Sequence, residues 1–170
     1  IAGDMATVAP ADRPLVTGAD GEALATLRDA TGDLLTVGDA DAEVAVEYGG
    51  VRDHEEAAVS LTGRNWDVET AVPLPGAHQA RNAGVAAALA RQVGDELGVA
   101  VDEGTVSRGL RSAHWPGRFE VMGSDPLVVL DGAHNPGACT AVAETLAEFA
   151  YDDLHLVVGA MHDKDHAGMA

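Results

Sequence analysis

The stretch Leu127-Val128-Val129-Leu130-Asp131-Gly132-Ala133-His134-Asn135-Pro136 decides the fold class. Four apolar residues in a row read as a strand buried on both faces, as in parallel sheets. A carboxylate and a glycine follow at once, then Pro136 where a helix can begin. That helix is expected from about Gly137 to Ala150, and a second buried strand from Leu154 to Val158. Strand, loop, helix and strand make a βαβ unit. Its loop lies at the carboxyl end of the first strand, where open α/β sheets present groups to ligands.

The same alternation opens the chain. Pro14-Leu15-Val16-Thr17-Gly18 reads as a strand and Gly21 to Ala30 as an amphipathic helix with Leu24 and Leu27 on one face. Leu34-Leu35-Thr36-Val37 reads as a second buried strand, ending at Gly38. From Ala42 the period becomes two. Ala42 to Tyr48, Ala57 to Thr62 and Trp66 to Val72 alternate apolar and polar residues, the mark of antiparallel, half-exposed strands. Gly63-Arg64-Asn65 is the expected hairpin turn. Pro73, Pro75 and Gly76 close the segment, and a long helix runs from about His78 to Leu97, stopping at Gly98. Asp102 is placed to N-cap a further helix through Leu110. Trp115-Pro116-Gly117-Arg118 breaks the pattern before a strand at Phe119-Glu120-Val121-Met122. The fold class is α/β, with a domain boundary expected near residue 115, giving units 1–114 and 115–170.

Composition narrows the function. The 170 residues carry 28 Asp plus Glu against nine arginines and the single Lys164, a formal net charge of −18. Such a chain repels phosphate backbones, and no basic patch offsets this, so nucleic acid is not an expected partner. No run of about 18 apolar residues is present, so no membrane span is expected, and Ile1-Ala2-Gly3-Asp4 does not open a signal peptide. Cys139, alone, excludes an internal disulfide and fits a reducing, cytoplasmic setting. The 17 Asp against 11 Glu, the near-absence of lysine and a core rich in small residues (32 Ala, 20 Val) fit a protein adapted to molar salt. There screening over about 3 Å removes most of the self-repulsion.

No phosphate loop, G-x-G-x-x-G, C-x-x-C or G-x-S-x-G occurs. Asp131, ending a strand, is placed either to accept hydrogen bonds from two ribose hydroxyls or to hold backbone amides. His134 and Asn135 add polar groups at the same edge, with Asn135 as a helix N-cap in the plainer reading. Asn82 offers an amide suited to a purine edge, or simply a first-turn polar group. Arg118, at the domain junction, is either a phosphate clamp or one half of a surface ion pair. His162 and His166 have metal-ligand spacing if helical, but Asp163-Lys164-Asp165 favours a solvated loop. Cys139 reads as a small core residue, and His54, His114 and His155 are assigned no role.

Taken in order, these segments resemble the folylpolyglutamate synthase and dihydrofolate synthase family, a branch of the Mur ligases. The resemblance runs through Pro14-Leu15-Val16-Thr17-Gly18-Ala19 and Leu74-Pro75-Gly76-Ala77-His78-Gln79-Ala80-Arg81-Asn82-Ala83. It continues through Trp115-Pro116-Gly117-Arg118-Phe119-Glu120, Asp131-Gly132-Ala133-His134-Asn135-Pro136 and Gly159-Ala160-Met161-His162-Asp163-Lys164-Asp165. It implies the latter part of a Mur-ligase-type central ATP-binding domain followed by the start of a Rossmann-like C-terminal domain. It also implies a ligase that uses ATP and Mg2+ to phosphorylate a carboxylate of folate or dihydropteroate, which L-glutamate then attacks. Carried over, Asn82 is the adenine contact, Arg118 the phosphate contact and Asp131 the ribose acceptor. His134 lies near the reacting centre, and Asn135 and Lys164 belong to the substrate and interdomain loops.

The family's phosphate loop and magnesium ligands lie upstream of these segments. The chain therefore reads as the middle of a longer protein, monomeric when whole and without ATP turnover as a fragment. A lysine that is carbamylated in the family is matched here by Met5, so a second metal is expected to be lost or held by another acid such as Asp4. Two alternatives remain, a non-catalytic nucleotide-binding or scaffolding module of the same fold and another Mur-type ligase. An anionic substrate on so acidic a chain asks for a local cationic island, for which Arg118, Arg81 and Lys164 are the candidates. If the salt reading holds, activity of the whole protein is sustained as KCl rises toward molar concentration. A monotonic loss from low salt upward would defeat it.

Overall fold

A computed structural model of the protein describes Ala2, Asp4, Thr7 and residues 13–169. The first crossover forms as its periodicity predicts: β1 (Leu15–Thr17), α1 (Gly21–Ala30) and β2 (Leu34–Gly38), with β1 and β2 paired in parallel, Leu15 opposite Leu34. β3 (Val44–Arg52) joins β2 in parallel. β4 (Glu56–Gly63) and β5 (Trp66–Val72) then extend the sheet antiparallel, in the order β1-β2-β3-β4-β5. Gly63 pairs with Trp66, so Arg64 and Asn65 alone make the hairpin loop.

One long helix covers this sheet. α2 (Ala77–Leu97) lays Ala80, Ala83 and Ala87 on Ala57, Val59 and Leu61 of β4 and on Val68 and Val72 of β5. These small side chains let the helix axis come close to the sheet. The limit is reached at Gly84, where a Cβ would come within 2.7 Å of both Val37 Cγ1 and Val46 Cγ2. α2 stops at Gly98, whose left-handed φ of 67° closes the last turn while Val99 N–H donates to the Gly94 carbonyl. α3 (Glu103–Arg111) opens at the expected cap, Asp102 accepting from Thr105 N–H at 2.7 Å, and buries Val106 and Leu110 against the same core.

The remaining segment differs from expectation in three places. β6 (Glu120–Ser124) and β7 (Leu127–Leu130) form an antiparallel two-stranded sheet, in which Val128 and Leu130 stay exposed. The expected double burial of β7 fails because the face that carries Val128 and Leu130 has no covering layer among the described residues. Leu154 to Val158 forms no strand, and Leu156, Val157 and Val158 are 73%, 96% and 64% exposed. Apolar residues become a buried strand only where a neighbouring edge and a covering layer receive them, and among the described residues this stretch has neither. α4 (Pro136–Leu146) ends four residues earlier than expected, where Glu148 and Phe149 N–H donate to the Thr145 and Leu146 carbonyls three residues back and tighten the chain into a turn. α5 (His166–Met169) rests on the start of α4, Gly168 lying against the Pro136 ring. Among the described residues no helix is long and apolar enough to cross a membrane.

Gly84 supplies a test of the close approach. Gly84→Ala gains about 1 kcal/mol of helix propensity but incurs overpacking of about 1–3 kcal/mol. A lowered urea midpoint is expected at constant KCl, and a raised one would show that α2 has room to spare.

Candidate functional site

Two loops on the C-terminal segment clasp each other. Asp131 Oδ2 accepts from Phe119 N–H and its Oδ1 from Ala133 N–H, both at 2.7 Å, while Gly132 N–H donates to the Gly117 carbonyl at 2.8 Å. Glu120 Oε2 accepts from Gly117 N–H at 2.8 Å. The clasp holds Phe119 at a φ of +45°, a conformation that a bulky residue keeps only when its surroundings impose it. Its ring is buried and stacks on Phe149 with 5.2 Å between centroids. Of the two readings of Asp131, the backbone-holding one is therefore realised in full, leaving a second lone pair on each oxygen.

The same clasp presents Arg118. Its side chain is exposed and makes no hydrogen bond or ion pair among the described residues, unlike the surface pairing expected of an arginine in so acidic a chain. A Cβ on Gly132 would lie 3.1 Å from Arg118 Nη1, so the glycine leaves the guanidinium its place. His134 Nδ1 donates to the Gly132 carbonyl at 2.9 Å, which turns the exposed ring's Nε2 outward as an acceptor. Asn135 caps α4, its Oδ1 accepting from Ala138 N–H at 2.9 Å ahead of Pro136.

Opposite this clasp lies the start of α2. Gly76, with φ +108°, takes the N-cap position, and no acidic residue stands in the first turn. The amides of Ala77 and His78 have no intrahelical partner, so this helix end carries open positive character. Asn82 is exposed and donates to Gln79 Oε1 at 3.0 Å, leaving its own carbonyl oxygen unused. Arg81 does not join a cationic island, because its Nη1 pairs with Asp20 Oδ2 at 2.6 Å and turns the charge toward α1. Lys164 is half-buried in the turn before α5, on the side of α4 that begins with Pro136.

Sequence reasoning gave His78 to the first turn of the helix and no more. In the fold it stands where the two sides meet, with its ring beside Gly76 and within electrostatic reach of Asp131, Glu144 and Arg118. Burial holds its pKa below the ordinary 6.5, Asp131 and Glu144 oppose that shift, and Arg118 adds to it. The only sequence signal was its place in the block Leu74 to Ala83.

The other candidates stay apart. His162 lies in a turn and does not share a helix with His166, whose Nε2 donates to the Met161 carbonyl at 2.9 Å. Among the described residues no three His, Cys, Asp or Glu side chains converge as a metal site. Met5 lies outside the described residues. Cys139 is half-buried on α4 with a free thiol. A cavity of about 550 Å³ lies near the other end of α2, between Pro14, Leu35, Trp66 and Gln92, and none of the residues above lines it.

His78 makes a pH test. Since its folded pKa lies below the unfolded value, the unfolded state binds more protons between the two. His78 therefore costs nothing above about pH 6.5 and lowers stability as pH falls from 6.5 through the folded value. His78→Gln is expected to flatten that part of the urea midpoint against pH, and an unchanged slope would count against a shifted His78.

Residues 117–170 match the family described as Mur ligase, glutamate ligase domain. The chain is 63% identical over 172 aligned residues to a probable bifunctional folylpolyglutamate synthase/dihydropteroate synthase of Halobacterium salinarum, covering 100% of this chain and 20% of that protein. The protein of the same description from Haloferax volcanii is 60% identical over 173 residues, covering 99% of this chain and again 20% of the relative. Among solved structures, Mycobacterium tuberculosis folylpolyglutamate synthase complexed with ADP superposes with a TM-score of 0.82 at 30% identity, over 99% of this chain and 38% of that one. The chain thus spans about a fifth of the length of its halobacterial relatives. By these matches the chain belongs to the folylpolyglutamate synthase and dihydrofolate synthase family of the Mur ligases.

Proposed function

We propose that the polypeptide carrying this chain is an ATP-dependent ligase that joins L-glutamate to a carboxylate of folate or dihydropteroate through an acyl phosphate. The observation that carries the reading is the clasp of residues 117–119 with 131–133, which presents an unpaired arginine across from the open start of α2. A carboxylate oxygen attacks the γ-phosphorus and ADP leaves. The amine of glutamate then attacks the acyl carbon and loses a proton as phosphate departs. Neither step needs a covalent bond to the protein, so catalysis rests on positioning and charge neutralisation.

Each residue then has a task. Arg118 offers its planar fork to phosphate oxygens, where lysine is a poor substitute. Asn82 reads the adenine edge with its amide. Asp131 uses the second lone pair on each oxygen for the ribose hydroxyls while its first holds the loop. His134 Nε2 faces the reacting centre as an acceptor, and Asn135 and Lys164 border the glutamate side. A boundary near residue 115 assigns Asn82 to the ATPase unit and Arg118 and Asp131 to the ligase unit, so the site closes at their junction. Mg2+, held by residues outside these 170, would supply charge neutralisation for the phosphates. A cytoplasmic monomer working in concentrated salt completes the proposal.

In the full-length polypeptide, Arg118→Ala is expected to lower kcat for ATP-dependent glutamate ligation by about 10²–10³-fold, and Arg118→Lys to restore little of it. The 170 residues alone are expected to give no ligation. Undiminished turnover in the variant, or ligation by the fragment, would overturn the assignment. Nucleotide binding without turnover in the whole protein would select the non-catalytic module instead.

A further inference from the structure

Glu148 is an acid placed where a helix disfavours one. It lies two residues beyond α4, near the negative end of the helix dipole, and no basic residue stands in that helix's last turn. What holds it there is β3, a hundred residues earlier. Tyr48 Oη donates to Glu148 Oε1 at 2.8 Å and lies 2.9 Å from Oε2, and Val51 N–H donates to Oε2 at 3.1 Å.

β3 is shaped to receive it. Its register with β4 shifts between Tyr48 and Val51, so Gly49 and Gly50 form a bulge. Gly49 lies so close to β4 that a Cβ there would be 3.0 Å from the Ala58 Cβ. Gly50 has a φ of +84° that side chains rarely adopt, and a Cβ on it would lie 3.5 Å from Glu148 Oε2. Burial and the adjoining carboxylate push the Tyr48 hydroxyl well above its ordinary pKa, so it stays a donor throughout the working range.

The contact leads straight to the site. Phe149, next in the chain, stacks on His54 of the β3–β4 turn at 5.4 Å and on Phe119 at 5.2 Å. Phe119 in turn gives its amide to Asp131. One turn before Glu148, Thr145 is fully buried, and its Oγ1 lies 2.5 Å from where a Cβ on Gly76, the N-cap of α2, would stand.

We propose that Glu148, received by Tyr48 and the Gly49-Gly50 bulge, is a positioning residue that sets how the Arg118 and Asp131 face meets the start of α2. Glu148 touches none of the reacting groups and acts through Phe149, Phe119 and Thr145. The catalytic consequence rests on the function proposed above, whereas the positioning itself does not.

Hydrogen exchange in the full-length polypeptide, without nucleotide or folate, reads the positioning directly. Glu148→Ala is expected to raise exchange about tenfold or more at Val51 and, together with it, in residues 117–135 and 76–82. Glu148→Gln should restore most of the protection, since its carbonyl still accepts from Val51 and its amide can donate to Tyr48 Oη. Tyr48→Phe keeps the packed ring, removes only the hydroxyl, and should fall between. Where ligation is measurable, Glu148→Ala should raise KM for ATP several-fold with a smaller change in kcat. Faster exchange at Val51 alone, with 117–135 and 76–82 unchanged in both Glu148→Ala and Tyr48→Phe, would overturn the proposal. So would a kcat loss at unchanged KM. Absence of ligation in the unsubstituted protein with the exchange pattern intact would sink the proposed function and leave the positioning standing.

Discussion

The distance between α2 and the sheet beneath it is the constraint on which most of the structure depends. Ala80, Ala83 and Ala87 bring the helix down onto β4 and β5, and Gly84 admits Val37 and Val46 where a methyl group would not fit. That approach places the helix start beside the Asp131 clasp. A larger residue on this face would lift the helix, and His78 and Asn82 would move with it. The alanines on this face of α2 are thus the packing condition for the site.

Electrostatics is arranged around that geometry. Under the proposed function, a chain with net charge −18 must keep its acids away from the place that receives a polyanion. It does so by omission at α2, whose first turn carries no carboxylate, and by occupation at Asp131, whose oxygens are turned onto two amides. Arg118 has no partner among the described residues, whereas Arg81 and Arg13 are tied to Asp20 and Glu96. Local placement of a few groups outweighs net charge here, because screening in salt confines each charge's influence to its neighbours.

Part of this was legible in advance. The hairpin at Arg64-Asn65, the limits of α1 and β5, and the caps Asp102 and Asn135 all follow from local rules. Asp131 was legible as important but not in its manner, since a carboxylate after a strand serves a ligand and a backbone amide equally well. Leu127 to Leu130 and Leu154 to Val158 misled for one common reason. An apolar run records an appetite for burial, and whether a neighbouring edge receives it is not written in the run itself.

The sequence by itself determined most of the elements, their caps and their order, because periodicity and capping involve groups within a turn or a strand of one another. It also determined the chemistry on offer, a single lysine and an arginine beside a glycine at the junction. Only the tertiary structure decided that His78 comes within electrostatic reach of Asp131, that Arg81 is paired while Arg118 has no partner among the described residues, and that Glu148 finds its receptor in a bulge. Those pairings join residues 53, 61 and 100 positions apart, as with His78 and Asp131, Arg81 and Asp20, and Tyr48 and Glu148. Chain folding alone brings such groups within reach of one another, and no local propensity encodes it.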